Sequence, residues 1–376
     1  MSSPRSFRSL CEFAAGVSFG QLGLLSVSVM LLAGVSRAAV ITGTVVEEGS
    51  AAPVVGAMVS FRHGDPLHDL TVFTDTQGNY RSPDLAEDER YSLRVRRLGF
   101  QDAARPGLRP SPASELRRID FRLKRESDPA ALAAQLPANR WYALLLAEVS
   151  DDVQREELVR QCTFCHQQGN AATRRLRDEE EWRKILSLMA RLGGGLSEPL
   201  RQQAPALFNR AYDPATAVPA LTADMGDPAF APPPDEAARL ALIEEWELGH
   251  PASMQHDLVV HPDGRIYSVD MTQDKLYRLD PRGGNATRDV FDVPRGDLPL
   301  GGVFGGLNAP PIPNANAHVG PHSLQVAPDG ALWTTLALGN QLARFDPVSE
   351  TWQIYPLEEG LYPHTLRFDQ RGRIWY

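Results

Sequence analysis

From residue 40 onward the apolar positions first alternate, then recur every three or four residues, then alternate again. Residues 41–46 (I-T-G-T-V-V), 57–61 (A-M-V-S-F) and 91–95 (Y-S-L-R-V) carry the two-residue period of half-buried strands. Turn-forming clusters at 49–53, 64–66 and 77–79 separate them. Short strands at this spacing predict an all-β sandwich over residues 39–125. The period changes at residues 177–192, where Trp182, Ile185, Leu186 and Met189 share one helical face. Gly193, Gly194 and Gly195 end that helix. Ser197 is the expected N-cap of the next one, with Pro199 in its first turn and Leu200, Leu207 and Tyr212 as its apolar contacts. Leu158 and Val159 lead an earlier helix into Cys162, so three short helices are expected over residues 151–215. Residues 126–150 (polar, partly helical) and 216–245 (rich in Pro and Ala) read as linkers.

Residues 246–376 repeat. M-Q-H-D-L-V-V-H-P-D-G-R-I-Y-S-V-D surrounds His256, G-P-H-S-L-Q-V-A-P-D-G-A-L-W-T-T-L surrounds His322, and Y-P-H-T-L-R-F-D-Q-R-G-R-I-W-Y surrounds His364. Each unit is a strand, an Asp/Gly-type turn and a second strand with an aromatic. The first two continue into K-L-Y-R-L-D-P and Q-L-A-R-F-D-P. A period of about 42 residues with several short strands is that of a β-propeller blade. The longer first interval fits an insertion around 301–316, rich in Gly, Asn and Pro. A propeller closes with four or more blades, so an incomplete propeller in a truncated chain is expected.

Charge excludes little. The net charge of −9 is spread without a long basic run, which argues against nucleic acid as a partner. The first 38 residues have the form of a signal peptide: Arg5 and Arg8, an apolar run over 13–34, then Ser36-Arg37-Ala38 as a small-x-small cleavage site. An uncleaved membrane anchor is the alternative. The protein is therefore expected outside the cytoplasm, in the periplasm or beyond. Cys11 would leave with the signal, and the two remaining cysteines are too few and too close to staple a secreted fold.

Those two cysteines sit in Q-C-T-F-C-H-Q-Q-G-N. Cys162, Cys165 and His166 form C-x-x-C-H, the attachment signature of a covalent haem c. Two thiols on one helical turn can add to the two vinyl groups of a porphyrin edge, and the following histidine becomes the proximal iron ligand. A zinc site would need a second Cys/His pair nearby, and a redox disulfide a βαβ setting; neither is present. Met189, on the apolar face of the helix at 177–192, reads from the residues alone as a core methionine.

Three resemblances rest on these residues. G-T-V-V, A-P-V-V-G-A-M-V-S-F, T-D-T-Q-G-N-Y and Y-S-L-R-V-R-R-L-G-F, in that order, resemble the carboxypeptidase regulatory-like domain, a transthyretin-like sandwich near the Cna-B type. That resemblance implies an appended module for folding, spacing, or carbohydrate or cell-surface contact. Asp75 and Asn79 are read there as turn residues. The short helices with C-x-x-C-H resemble a small all-α cytochrome c domain, which implies a distal methionine ligand of the iron: Met189 is the candidate, and Met225, Met254 and His250 are weaker ones. The repeats resemble the streptogramin B lyase (virginiamycin B lyase) type of propeller, which implies acid–base residues on the channel face beside Mg²⁺. The carboxylate expected there is Asp270 in the first unit and is replaced by Leu336 in the second.

Two functions from different classes follow. The first is an exported electron-transfer protein with one haem, whose propeller binds a small-molecule substrate or docks a redox partner protein. The second is a propeller enzyme, lyase-like or a haem-linked oxidoreductase, with His256, His322, His364 and Asp270 as its catalytic residues. Equivalent positions on successive blades converge near a propeller axis, where imidazoles can bind a metal or move protons. A structural histidine bonding between blades is the plainer alternative. A binding or scaffold protein is a third possibility.

Overall fold

The structure, a computed structural model, describes residues 38–110, 117–164, 166–191, 193–282, 286–305 and 317–376. The expected signal peptide lies, but for Ala38, outside these residues, as do Cys11, Cys165 and most of the insertion at 301–316. Among the described residues no helix is long and apolar enough to cross a membrane.

Ten strands build the first part: β1 (Ala38–Ala39), β2 (Ile41–Glu47), β3 (Met58–His63), β4 (His68–Phe73), β5 (Asn79–Arg81), β6 (Leu85–Ala86), β7 (Tyr91–Arg96), β8 (Ala103–Leu108), β9 (Arg117–Arg118) and β10 (Phe121–Leu123). One sheet has the order β10-β2-β5, with β9 also on β2. The second carries β4-β3-β7-β8, and β1 pairs with β6. Alternation along β2 and β7 turns Ile41, Val45, Tyr91, Leu93 and Val95 into a core shared with Phe61 and Phe121. Gly43 is required where the sheets close: a Cβ there would lie 1.8 Å from the Ile119 carbonyl oxygen. Asp75 is a turn residue, accepting the N–H groups of Gln77 and Asn79 at 2.8 Å, and Tyr80 points into the core.

The helical part is larger than the three helices expected. It comprises α1 (Pro129–Gln135), α2 (Ala138–Ala147), α3 (Asp152–Cys162), α4 (Glu179–Arg191), α5 (Glu198–Ala211) and α6 (Pro214–Thr222). The segment 126–150 read as a linker is largely α1 and α2. Its Trp141, Tyr142 and Leu145 pack in one core with Leu158, Trp182, Leu207, Phe208 and Tyr212. The low charge of A-A-L-A-A-Q and W-Y-A-L-L-L-A was the sign of burial. Ser197 precedes α5 but does not cap it. Its hydroxyl instead donates to Glu157 of α3 at 2.8 Å. Asn209 of α5 accepts from Trp182 Nε1 at 3.0 Å and so holds the start of α4.

The second expected linker, 216–245, is also ordered. It runs through α6, a 3₁₀ turn (Pro228–Phe230) and α7 (Glu236–Arg239) into β11 (Ile243–Trp246). β11 adds antiparallel to β4, with Ile243 opposite Thr71 and Trp246 opposite His68. This covers an edge that would otherwise expose unpaired backbone groups. Arg97 donates to the Ala231 carbonyl at 2.7 Å, and the Pro234 ring lies over Gly56. Proline content marked these turns as irregular but gave no sign that they would dock.

Two four-stranded antiparallel meanders follow. The first is β12 (Gln255–Val260), β13 (Ile266–Asp270), β14 (Lys275–Asp280) and β15 (Thr287–Asp292). The second is β16 (Pro321–Val326), β17 (Leu332–Leu336), β18 (Gln341–Asp346) and β19 (Thr351–Pro356). β20 (Arg367–Phe368) pairs with β21 (Ile374–Trp375). The two meanders share a core of Tyr267, Val269, Leu276, Leu324, Leu332 and Phe345, as propeller blades do. Asp274, buried in the β13–β14 turn, joins them: its carboxylate accepts the N–H groups of His318 at 2.5 Å, Val319 at 3.2 Å and Gly320 at 2.8 Å.

Asp274→Ala should lower stability by about 2–4 kcal/mol, because three buried N–H groups lose their acceptor and alanine must hold a positive φ. Asp274→Asn, which keeps one acceptor oxygen, should cost less. Urea unfolding of the two variants beside the parent decides it; equal costs would remove the carboxylate from this role.

Candidate functional site

The repeat brings the three sequence-predicted histidines together. His256 and His364 flank His322, with ring centroids 3.5 Å and 4.1 Å from it and 6.3 Å from each other. His256 stands on β12 and His322 on β16, while His364 precedes β20. Their environments differ: His256 is exposed, His364 half-buried and His322 only 4% exposed.

The histidines also bond between blades. His256 Nδ1–H donates to the His322 carbonyl at 2.9 Å. The corresponding neighbour of His322 is the His364 backbone, but His322 Nδ1 makes no hydrogen bond of ordinary geometry and is buried without a partner. The next residues repeat a second link. Asp257 accepts from the Leu324 N–H at 2.9 Å, and Ser323 Oγ accepts from the Leu366 N–H at 3.4 Å. Thr335 donates to the His364 carbonyl at 3.2 Å. Burial, then repulsion from His256 and His364, pushes the His322 imidazole down to about 3, so it is neutral at pH 7. Burial also lowers His364. Among the described residues no three His, Cys, Asp or Glu side chains are placed to hold a metal ion.

Asp270 is fully buried, and its Oδ1 accepts from Met254 N, Thr272 N and Thr272 Oγ1 at 3.0–3.1 Å. Those bonds fasten the β13 turn to the approach to β12. No hydrogen bond joins Asp270 to the histidines among the described residues. Leu336 is buried in the core between the blades. Sequence reasoning missed Tyr362, whose ring lies 6.2 Å from those of His322 and His364. The triplet Y-P-H, beside G-P-H in the preceding unit, was the available signal.

The C-x-x-C-H motif lies at the end of α3, which stops at Cys162; Cys165 is outside the described residues. His166 is exposed, and its Nδ1 lies 3.4 Å from the Gln167 carbonyl and from Gln168 Nε2. A metal-bound histidine characteristically engages its other nitrogen in this way. Burial pushes the Cys162 thiol up to about 11, ahead of the charge of Glu157. The surroundings fit a flat, largely apolar group. Phe164 is 75% exposed, and Val159, one turn before Cys162, is exposed as well. The hydroxyls of Tyr142 and Tyr212 are buried with no partner, and both residues belong to the core against which Cys162 packs.

Met189 is half-buried in α4 and does not belong to the helical core. Its carbonyl accepts from Gly194 N at 2.8 Å, and a Cβ on Gly194 would lie 3.3 Å from the Gln161 carbonyl. The turn after α4 thus lies against the end of α3. The weaker ligand candidates are elsewhere. Both ring nitrogens of His250 are engaged, by Gln273 Oε1 at 3.0 Å and Ala252 N at 3.1 Å. Met225 and Met254 are exposed, beyond α6 and before β12.

Residues 40–124, the sandwich alone, match the family model of the carboxypeptidase regulatory-like domain. No curated protein matches the chain. Among solved structures, a catalytically inactive virginiamycin B lyase from Staphylococcus aureus with quinupristin is 18% identical, with TM-score 0.27, over 36% of this chain and 38% of that one. A streptogramin B lyase is 21% identical, with TM-score 0.26, over 36% and 37%. Hydrazine synthase from Kuenenia stuttgartiensis is 15% identical, with TM-score 0.23, over 34% and 31%. The chain thus spans under two fifths of the lyases it is similar to. The blade-like repeats rest on the chain's own strand pairing.

The lowered His322 makes stability pH-dependent. An unfolded histidine titrates near its usual value of about 6.5. Between that pH and about 3 the unfolded chain holds a proton that the folded chain refuses. Stability from this group is complete above about pH 6.5 and falls as the pH drops toward 3. In urea unfolding at several pH values, His322→Gln should flatten that slope relative to the parent. A variant with the parental slope would show that His322 is not held neutral.

Proposed function

We propose that the chain is an exported c-type haem protein that transfers single electrons, with one haem held covalently at Cys162 and Cys165. The observation that carries this reading is C-x-x-C-H at a helix end, beside exposed Phe164 and Val159 and two buried, unpartnered phenols. A haem iron with both axial positions filled passes single electrons. His166 supplies the proximal nitrogen, held by the contacts of its Nδ1. Met189 is the distal candidate, on the turn that lies against the end of α3. The α1–α6 core fixes both helix ends and excludes water from one side of the motif. The blades would bind a small-molecule substrate or dock a redox partner. The sandwich offers a surface for carbohydrate or cell-surface contact.

A second reading is favoured by the convergence of His256, His322 and His364. In it the blades form an enzyme, lyase-like and Mg²⁺-dependent or linked to the haem. Neutral, buried His322 would orient a ligand and the more accessible His256 and His364 would move protons. A third, with less support, is a binding or scaffold protein.

Expression with a c-type maturation system should give a chain that stains for haem after denaturation and yields a c-type pyridine haemochrome. Cys162→Ser should leave a single thioether and move the band to longer wavelength, and Met189→Ala should abolish the far-red methionine–iron band. Absence of covalent haem would sink the first reading; a persisting far-red band would remove Met189 alone. For the second reading, quinupristin incubated with the protein and Mg²⁺ should change its chromatographic retention. Intact quinupristin excludes the lyase form.

A further inference from the structure

The β3–β4 hairpin sets His63 directly opposite His68, the last register pair before its turn. Cross-strand partners have Cβ atoms about 4.5–5.5 Å apart, and here the rings meet. His63 Nε2 lies 3.1 Å from His68 Nδ1. Tyr91 lies against His63 at 4.7 Å between centroids, and Trp246 of β11 stacks flat on His68 at 4.8 Å and 13°. A cavity of about 230 Å³ adjoins the pair, lined by both histidines, Asp65, Pro66, Glu89 and Ala286.

The pair leaves polar atoms unserved. His63 is 7% exposed, and its Nδ1 is buried without a partner. His68 Nε2 and Trp246 Nε1 are in the same condition. Two neutral imidazoles that bond to each other always leave one bare nitrogen and one N–H at their outer ends, whichever tautomer forms. Each buried atom left unpaired costs about 1–3 kcal/mol. The surroundings are acidic: Glu89 and Asp69 act on His63, and Glu244 and Asp69 on His68. The nearby cations are already placed, Arg62 on Asp69 at 2.7 Å and Arg288 3.7 Å from Asp65.

We propose that His63 and His68 chelate a divalent transition-metal ion through His63 Nε2 and His68 Nδ1, with water completing its coordination. Two nitrogens each about 2.0–2.1 Å from a tetrahedral ion lie about 3.3 Å apart, close to the 3.1 Å found here. Coordination replaces the bond between the rings, and the outer nitrogens, His63 Nδ1 and His68 Nε2, then both carry N–H. No third His, Cys, Asp or Glu converges on the same point among the described residues. The site is therefore a two-imidazole chelate open to solvent through the cavity, not a closed cage. The ion would sit at the end of the β3–β4 hairpin, beside Trp246 of β11.

Trp246 is a built-in reporter, because Cu²⁺ and Ni²⁺ quench a tryptophan in contact with a ligating imidazole. The full chain is titrated with NiCl₂ or CuCl₂ beside a Trp246→Phe variant, and the difference isolates the Trp246 signal from ions bound elsewhere. A saturable quench reversed by EDTA is expected. His68→Gln should weaken it by more than the roughly tenfold that loss of an outer-shell partner costs, and Glu89→Gln should weaken it less. A Trp246 signal that does not saturate overturns the proposal, as does one with the same midpoint in His68→Gln. Should His68→Gln fail to fold, Glu89→Gln must still shift the midpoint; an unchanged value then overturns it.

Discussion

The pairing of β11 with β4 is the constraint on which the rest of the arrangement depends. Four residues, Ile243 to Trp246, close the open edge of the sandwich sheet. They are also the last stretch of chain before the first blade. A segment that begins in the helical core and ends in a sheet edge cannot act as a free tether. Strand hydrogen bonds fix its register, so Trp246 must fall on His68 and not on a neighbour. A slip of one residue would turn Trp246 to the other face of the sheet and leave the histidine pair open. The Arg97–Ala231 bond and the Pro234 ring on Gly56 hold the same segment upstream.

Burial then decides which polar groups are fixed and which can respond. Asp274 is buried and its carboxyl is pushed up by desolvation, yet three backbone donors saturate it. Such a group joins blades and does little else. His322 is equally enclosed and lacks that saturation. Its neutrality follows from burial first and from the two imidazoles beside it second. His256 makes the inter-blade hydrogen bond that His322 lacks, and remains open to solvent. One repeated position thus yields an exposed, a buried and a half-buried imidazole. The ladder of Asp257 and Ser323 shows the same substitution of chemistry at constant geometry.

Much of the architecture was legible. Alternation at 41–46 and 91–95 is enough to place core strands, and the spacing of His256, His322 and His364 is enough to place three side chains side by side. The helical segments were legible where charge and apolar residues segregate, as in α4. They were less so where a helix is nearly uncharged, as in α1 and α2, since a Pro- and Ala-containing stretch has the composition of both a linker and a buried helix. The docking of 216–245 left no trace because its contacts are backbone pairing and ring packing, which any sequence without large side chains can make. Ser197 illustrates a smaller loss. A serine before a helix predicts a cap, but Glu157, forty residues earlier, competes for the same hydroxyl.

The unpartnered polar atoms fall into the same division. His63, His68, Tyr142 and Tyr212 look unremarkable in sequence, since nothing local distinguishes a satisfied tyrosine or histidine from an orphaned one. What sets them apart is that the fold excludes water from them without offering a replacement. The two phenols adjoin a motif whose chemistry calls for a bound group, and the histidine pair adjoins a cavity rimmed with carboxylates. In both places the chain has desolvated donors and acceptors, at a cost that burial of their rings must offset. An atom left unpaired in this way is one that a partner from outside the chain can satisfy. A local motif such as C-T-F-C-H names the chemistry it can support. The orphaned groups around it mark where the fold leaves that chemistry room.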